Sequence, residues 1–260
     1  MLLAFNTALA AQSSHQHPKA PEFDRDTAFA ISQAALGNTP DDLIFTAANG
    51  KQTPLSKFKG KPLVISMIYT SCYHICPTTT KHLHRVVRKA RAALGTDTFN
   101  VLTIGFDVVK DSPQMMQFFA DKQRISDANW YFLSADQDTI DSLSASLGFI
   151  YFPSPNGFDH LIQATILDES GTVFRQVYGM DFETPHLIEP LKRFVFKTTD
   201  ELGLLDSVSN RVRLFCTVYD PSEDKYRFDY SLFIGMFIGA LCVGSLGFQL
   251  IREWRKSLSV

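Results

Sequence analysis

The chain has 260 residues, with 25 Lys and Arg against 27 Asp and Glu, a formal charge of -2. That balance gives no global reason to bind nucleic acid, which would need a local basic patch, so no nucleic-acid partner is expected. Hydrophobic residues make up 45% and charged residues 20%, which excludes wholesale disorder, and the length suits one domain of about 150–170 residues with extensions.

In chain order, residues 1–11 (MLLAFNTALAA) read as the end of a signal peptide, with Ala8-Leu9-Ala10 as a small-x-small cleavage site. The basic n-region is missing, so residues 1–10 are expected to be a truncated signal peptide. Residues 11–40 are polar and Pro-containing and read as a linker, with a short helix or strand at 28–36 laid against the domain. A hairpin is expected over 43–58, turning at Asn49-Gly50. Residues 62–69 (PLVISMIY) are a continuous apolar run, as in a strand buried on both faces. A helix follows over 76–94, where Leu83, Val86, Val87, Ala90 and Leu94 recur at helical spacing.

A strand at 99–106 then precedes a helix at 113–124, with Asp111 or Ser112 as its N-cap and Pro113 in its first turn; Asp107 and Asp111 are alternatively placed to position the site or a partner, and for Asp111 the cap is the preferred reading. A strand at 130–133, a helix at 137–147 capped by Asp136, a hairpin of 161–167 with 173–178, and a last helix at 184–196 complete the domain. Strands alternating with helices and ending in an antiparallel pair predict an α/β fold: a mixed sheet with helices on both faces.

Residues 231–251 carry no charge, and a helix of that length rises about 31 Å, enough to cross a hydrocarbon core of roughly 30 Å. Tyr226, Phe228 and Tyr230 before it and Trp254 after it fit an aromatic belt. Arg252, Arg255 and Lys256 follow the span, whereas Asp220, Glu223, Asp224 and Asp229 precede it. The positive-inside rule then puts residues 252–260 in the cytoplasm as a tail and everything upstream outside. For a bacterial inner membrane the outside is the periplasm, which permits disulfides. The remaining boundaries are a domain at 41–200 and a juxtamembrane segment at 201–230.

The segment Tyr69-Thr-Ser-Cys72-Tyr-His-Ile-Cys76-Pro77 lies between a buried strand and a helix start. Helix N-termini stabilise thiolates. Cysteines four apart bring both sulfurs to one point in a single turn, where they either form a disulfide or bind a soft ion. Sulfur with imidazole suits Cu(I), and tetrahedral sites suit zinc. Two buried inert cysteines are the bland alternative.

Thr70-Ser71-Cys72-x-x-x-Cys76-Pro77 after an apolar strand resembles the signature of the Sco/SenC copper-binding proteins. Asp107-Val-Val-Lys-Asp111-Ser112-Pro113 is similar to that family's D-x-x-x-D-[ST]-P segment. Phe158-Asp159-His160 stands where the family carries its histidine, and Leu167-Asp168-x-x-Gly171 resembles its hairpin turn. The resemblance covers about 43–196. It implies a thioredoxin-like fold, with copper as cargo bound by Cys72, Cys76 and His160. It further implies a membrane-anchored metallochaperone, not an enzyme, that takes copper from a donor protein and delivers it to the dinuclear site of cytochrome c oxidase subunit II. The alternative is a thiol–disulfide oxidoreductase or redox sensor, with Cys72 and Cys76 as the redox-active pair. Two departures from the family stand out: the anchor is C-terminal rather than N-terminal, and the Tyr73-His74-Ile75 spacer places an extra histidine inside the motif.

Other groups have plainer readings. His82 and His84 are expected on a solvated helix face, and His15 and His17 in a polar tail. His186 has no visible partner. Cys216 reads as structural or as a second transfer thiol, and Cys242 as a packing residue of the span.

Overall fold

The computed structural model describes residues 23–198, 217–220, 225–228 and 230–257. The expected signal peptide, His15, His17 and Cys216 lie outside the described residues. The elements in order are α1 (Arg25–Ala34), β1 (Ile44–Thr46), β2 (Gln52–Pro54), a 3-10 turn (Leu55–Phe58), β3 (Leu63–Ile68), α2 (Ile75–Leu94), β4 (Asn100–Gly105) and α3 (Pro113–Gln123). They continue with β5 (Trp130–Leu133), α4 (Gln137–Leu147), β6 (Tyr151–Ser154), β7 (Gly157–His160), β8 (Gln163–Leu167), β9 (Val173–Tyr178), α5 (Thr184–Thr198), β10 (Thr217–Asp220), β11 (Lys225–Phe228) and α6 (Ser231–Ser257).

The central sheet has the order β5-β4-β3-β8-β9. β3, β4 and β5 run parallel, while β8 is antiparallel to both β3 and β9. β3 and β4 are buried at every position, as continuous apolar strands must be when both faces are covered. Side chains alternate across a strand, so β3 feeds two cores. Val64 belongs with Leu83 and Val87 of α2 and Leu187 and Leu191 of α5. Ile65 and Met67 belong with Ile140 and Leu147 of α4, Met116 of α3 and Phe45 of β1. The architecture is therefore the expected mixed sheet with helices on both faces.

Local chemistry sets the element ends. Asp136 caps α4, accepting from Thr139 N–H at 2.9 Å. Ser112 caps α3, its Oγ accepting from Met115 N–H at 3.3 Å, with Pro113 opening the helix. Of the two caps offered by the sequence Ser112 is the one used, so the cap reading preferred for Asp111 is corrected. α1 lies within the stretch read as linker and docks on the β8–β9 edge. There the buried Ser32 donates to Gln163 Oε1 at 2.9 Å and accepts from the Tyr178 hydroxyl at 2.8 Å.

The β6–β7 hairpin was not anticipated. Pro153 and Pro155 disguise two four-residue strands joined by Pro155-Asn156. Pro cannot donate to a ladder and reads against strand.

Among the described residues, one helix is long and apolar enough to cross a membrane. The 19 residues Phe233–Ile251 of α6 qualify, and none of that stretch is buried in the protein. Ile234, Phe237, Leu246, Phe248 and Leu250 are all exposed, which distinguishes α6 from a core helix. Cys242 is likewise exposed on α6.

Candidate metal centre

The parallel register pairs Ile68 with Gly105, so β3 and β4 end side by side. Crevices at the carboxyl ends of parallel strands are the usual ligand positions of open α/β sheets. Both candidate thiols lie just beyond the end of β3. Cys72 N–H donates to the Tyr69 carbonyl at 3.2 Å, which folds the chain into a tight turn before α2. His74 stands at the N-cap of α2 without a side-chain cap bond. Cys72 Sγ fills part of that need, because Cys76 N–H donates to it at 3.3 Å.

Cys72 is half-buried and Cys76 is 3% exposed. Their acidities split accordingly. The Cys76 thiol donates to the Cys72 sulfur and is the main influence lowering Cys72, to about 4. Burial opposes this, and the Cys76 N–H, the Tyr69 hydroxyl and the His74 N–H assist it. Cys76 is pushed up, first by donating its S–H hydrogen bond to the Cys72 sulfur and then by burial. One thiolate and one thiol therefore share a proton beside a helix N-terminus.

Tyr69 is the residue that spacing did not reveal. Its own acidity is pushed up to about 12, mainly by burial and then by its hydrogen bond to Cys72. A Tyr69→Phe substitution removes one donor to the thiolate. The midpoint for alkylation of Cys72 by iodoacetamide is expected to move upward in pH, while the far-UV circular dichroism stays unchanged. A midpoint identical to that of the parent would remove Tyr69 from the site. Gly157, at φ +121°, lies against the ring: a Cβ there would approach the Tyr69 hydroxyl to 2.8 Å.

His160 ends β7. Its ring sits against Phe149 at 5.3 Å, Phe106 at 5.4 Å and Tyr69 at 6.1 Å between centroids. Nδ1 is 2.7 Å from the Leu161 carbonyl. A carbonyl only accepts, so Nδ1 carries the proton and Nε2 presents the lone pair, as a ligating imidazole requires. Burial lowers the imidazole's proton affinity, opposed by its hydrogen bond to Leu161 and by the charges on Cys72 and Asp159. With its folded value below the ordinary 6.5, His160 contributes stability that is full above about pH 6.5. That contribution is lost as pH falls through the lowered value. In a His160→Phe variant, the fall of the urea midpoint between about pH 7 and 5 is expected to be shallower than in the parent. Parallel profiles would contradict it.

Asp111 is 1% exposed and ties the two strand ends together. Its Oδ1 accepts from Thr70 N–H at 2.8 Å and from the Thr70 hydroxyl at 2.6 Å, and Oδ2 accepts from Asp107 N–H at 2.9 Å. A side chain at Gly105 would collide with Asp111 and Met116.

Among the described residues, no three His, Cys, Asp or Glu side chains stand close enough to hold an ion as they are. The sulfurs are paired with each other and His160 faces the same end of the sheet, linked to them through Tyr69. Two other histidines correct the solvated-face expectation. His82 is buried, with Nε2 2.8 Å from the Phe182 carbonyl and Nδ1 2.7 Å from Asp181. His84 Nε2 pairs with Asp127 at 2.8 Å, and Asp127 also takes Arg91 at 3.1 Å. Both fix α2 in place. His74 is exposed, and His186 lies away from the thiols, beside Tyr178 and Gln33.

The SCO1/SenC family model matches residues 37–195. A SCO1 protein homologue of Bacillus subtilis is 27% identical over 148 residues, covering 55% of this chain and 74% of that protein. Two solved structures share the fold. BsSco, a member of the Sco family of cytochrome c oxidase assembly proteins in which a disulfide switch has been identified, is 23% identical with a TM-score of 0.55. The alignment covers 62% of this chain and 95% of that one. Arabidopsis thaliana ScoI with copper bound is 17% identical with a TM-score of 0.53, covering 61% and 99%. The fold is thus the thioredoxin-like one of the Sco proteins.

Proposed function

The chain belongs to the SCO1/SenC family, and on that premise we propose that it is a membrane-anchored copper metallochaperone. Cys72, Cys76 and His160 hold the ion, taken from a donor protein and passed to the dinuclear copper site of cytochrome c oxidase subunit II. The observation that carries this reading is the donor set: a thiolate beside a thiol at a helix N-terminus, and an imidazole whose Nδ1–H is fixed so that Nε2 is free. Soft sulfur with imidazole suits Cu(I). Relatives support the cargo and the task, since ScoI of Arabidopsis thaliana holds copper and BsSco belongs to a family of oxidase assembly proteins.

The ligands are not gathered as they stand. Loading on this reading displaces the proton shared by the sulfurs and draws the β6–β7 hairpin toward them. Two sulfurs and one nitrogen leave a side of the ion open. An incoming partner thiolate enters there, and each new Cu–S bond replaces one that breaks here, with no change of copper valence. α6 anchors the domain, and the basic tail after it favours a periplasmic domain with a cytoplasmic C-terminus.

A second reading rests on the acidity split. An ionised, half-exposed Cys72 against a buried Cys76 thiol is also the arrangement of a thiol–disulfide oxidoreductase or redox sensor. His160 separates the two, because disulfide exchange does not need that imidazole. The test is Cu(I) retained per reduced chain in detergent against a competing Cu(I) chelator. The chaperone reading expects one ion per chain, with affinity falling about 10–100-fold or more in His160→Ala. No retained copper, or retention indifferent to His160, would favour the thiol–disulfide reading.

A further inference from the structure

Beside Cys72 lies a cavity of about 420 Å³, between the 70–73 turn and α3. Pro77, Met115, Phe118 and Phe119 supply apolar wall, and Lys110 and Lys122 stand at the rim. Phe118 is 60% exposed and Met115 41% exposed, which is costly for large apolar side chains without a cover. Gln123 also lines the cavity. It is 6% exposed, and its buried Oε1 has no hydrogen-bond donor.

We propose that this groove is a docking slot for a carboxylate-bearing segment of the protein that receives copper from Cys72. The inference rests on the chaperone reading above and adds the chemistry of the partner. An apolar side chain of the segment covers Phe118 and Met115. Carboxylates meet Lys110 and Lys122; among the described residues Lys110 Nζ lies 3.5 Å from Asp107 Oδ2. The slot shares Cys72 with the metal centre, so docking brings the partner's thiols to the half-exposed sulfur and leaves the buried Cys76 behind.

The test uses the full chain in detergent, loaded with Cu(I), and the soluble copper-site domain of cytochrome c oxidase subunit II as the probe. Copper transfer is followed by separating the two proteins and measuring metal in each. Lys110→Glu with Lys122→Glu is expected to load copper normally but to transfer it on the order of ten-fold more slowly at low ionic strength. The gap should close as salt screens the rim charges. Phe118→Ser, which removes the exposed apolar ring from the groove, is expected to slow transfer with no salt dependence of the deficit. Parent-like transfer in both variants, with copper loading intact, would overturn the slot and leave the chaperone reading standing. Absence of transfer by the parent chain itself would overturn delivery to this acceptor, and the slot with it.

Discussion

Cys72→Ser is expected to abolish retention of Cu(I) under chelator competition, with affinity falling on the order of a thousand-fold, about 4 kcal/mol. The physical reason is the division of labour between the two sulfurs. Cys72 is the sulfur held ionised, by the Cys76 thiol, two backbone N–H groups and the Tyr69 hydroxyl. A serine hydroxyl in that cage does not ionise near neutral pH and is a poor ligand for a soft cation. The fold should survive, because the Cys76 N–H keeps an oxygen acceptor at the start of α2 and Cys72 is not deeply buried. Isothermal titration under reducing conditions, beside a circular dichroism spectrum, checks both halves. Affinity retained within ten-fold, with the fold intact, would remove Cys72 from the metal centre.

The second large effect is on stability. Asp111→Ala is expected to destabilise the protein by about 3 kcal/mol, read as a lowered urea midpoint. It leaves the Thr70 N–H, the Thr70 hydroxyl and the Asp107 N–H without their acceptor. Those donors sit at the ends of two buried strands, where water does not replace the carboxylate cheaply. Burial raises the Asp111 pKa above the usual 3.8, against the hydrogen bonds from Thr70 and Asp107 that lower it. The fold therefore favours the protonated acid. Its contribution is full below about pH 4 and declines as pH rises through the raised value. Asp111→Asn carries no such titration, so its stability profile should be flatter than the parent's above pH 4. An Asp111→Ala midpoint within error of the parent would show that Asp111 does not clamp the strand ends.

The central architecture was legible in the sequence because its signals are local. The run of residues 62–69 has the uninterrupted apolar character of a strand covered on both faces, and Leu63–Ile68 is that strand. Asn49-Gly50 marks the first hairpin, with Gly50 at φ +75°. Asp136 is a side-chain cap at the start of a periodic apolar pattern. The missed features depend on tertiary partners. Asp111 has the composition and position of a cap, yet Thr70, 41 residues away, claims its oxygen. His82 and His84 look solvated on a helix that is amphipathic by count, but Phe182, Asp181 and Asp127 come to them from distant segments. The hairpin bearing His160 hid behind its prolines, although Asn156-Gly157 within an aromatic stretch was a usable turn signal.

The candidate site divides in the same way. Cys72 and Cys76 stand out by spacing and by their place between strand and helix. His160 was reached only through resemblance to the Sco/SenC pattern, because a lone histidine carries no spacing signal. Tyr69 looked like the last residue of a strand. Its hydroxyl meets Cys72 because β3 ends there and Gly157 of the neighbouring hairpin leaves room for the ring.

The most direct test of the central claim is X-ray absorption at the copper edge of the Cu(I)-loaded chain. Two sulfur neighbours and one imidazole nitrogen are expected, with the nitrogen lost in His160→Ala and one sulfur lost in Cys76→Ser. A spectrum with sulfur neighbours alone, unchanged by His160→Ala, would contradict the three-ligand centre.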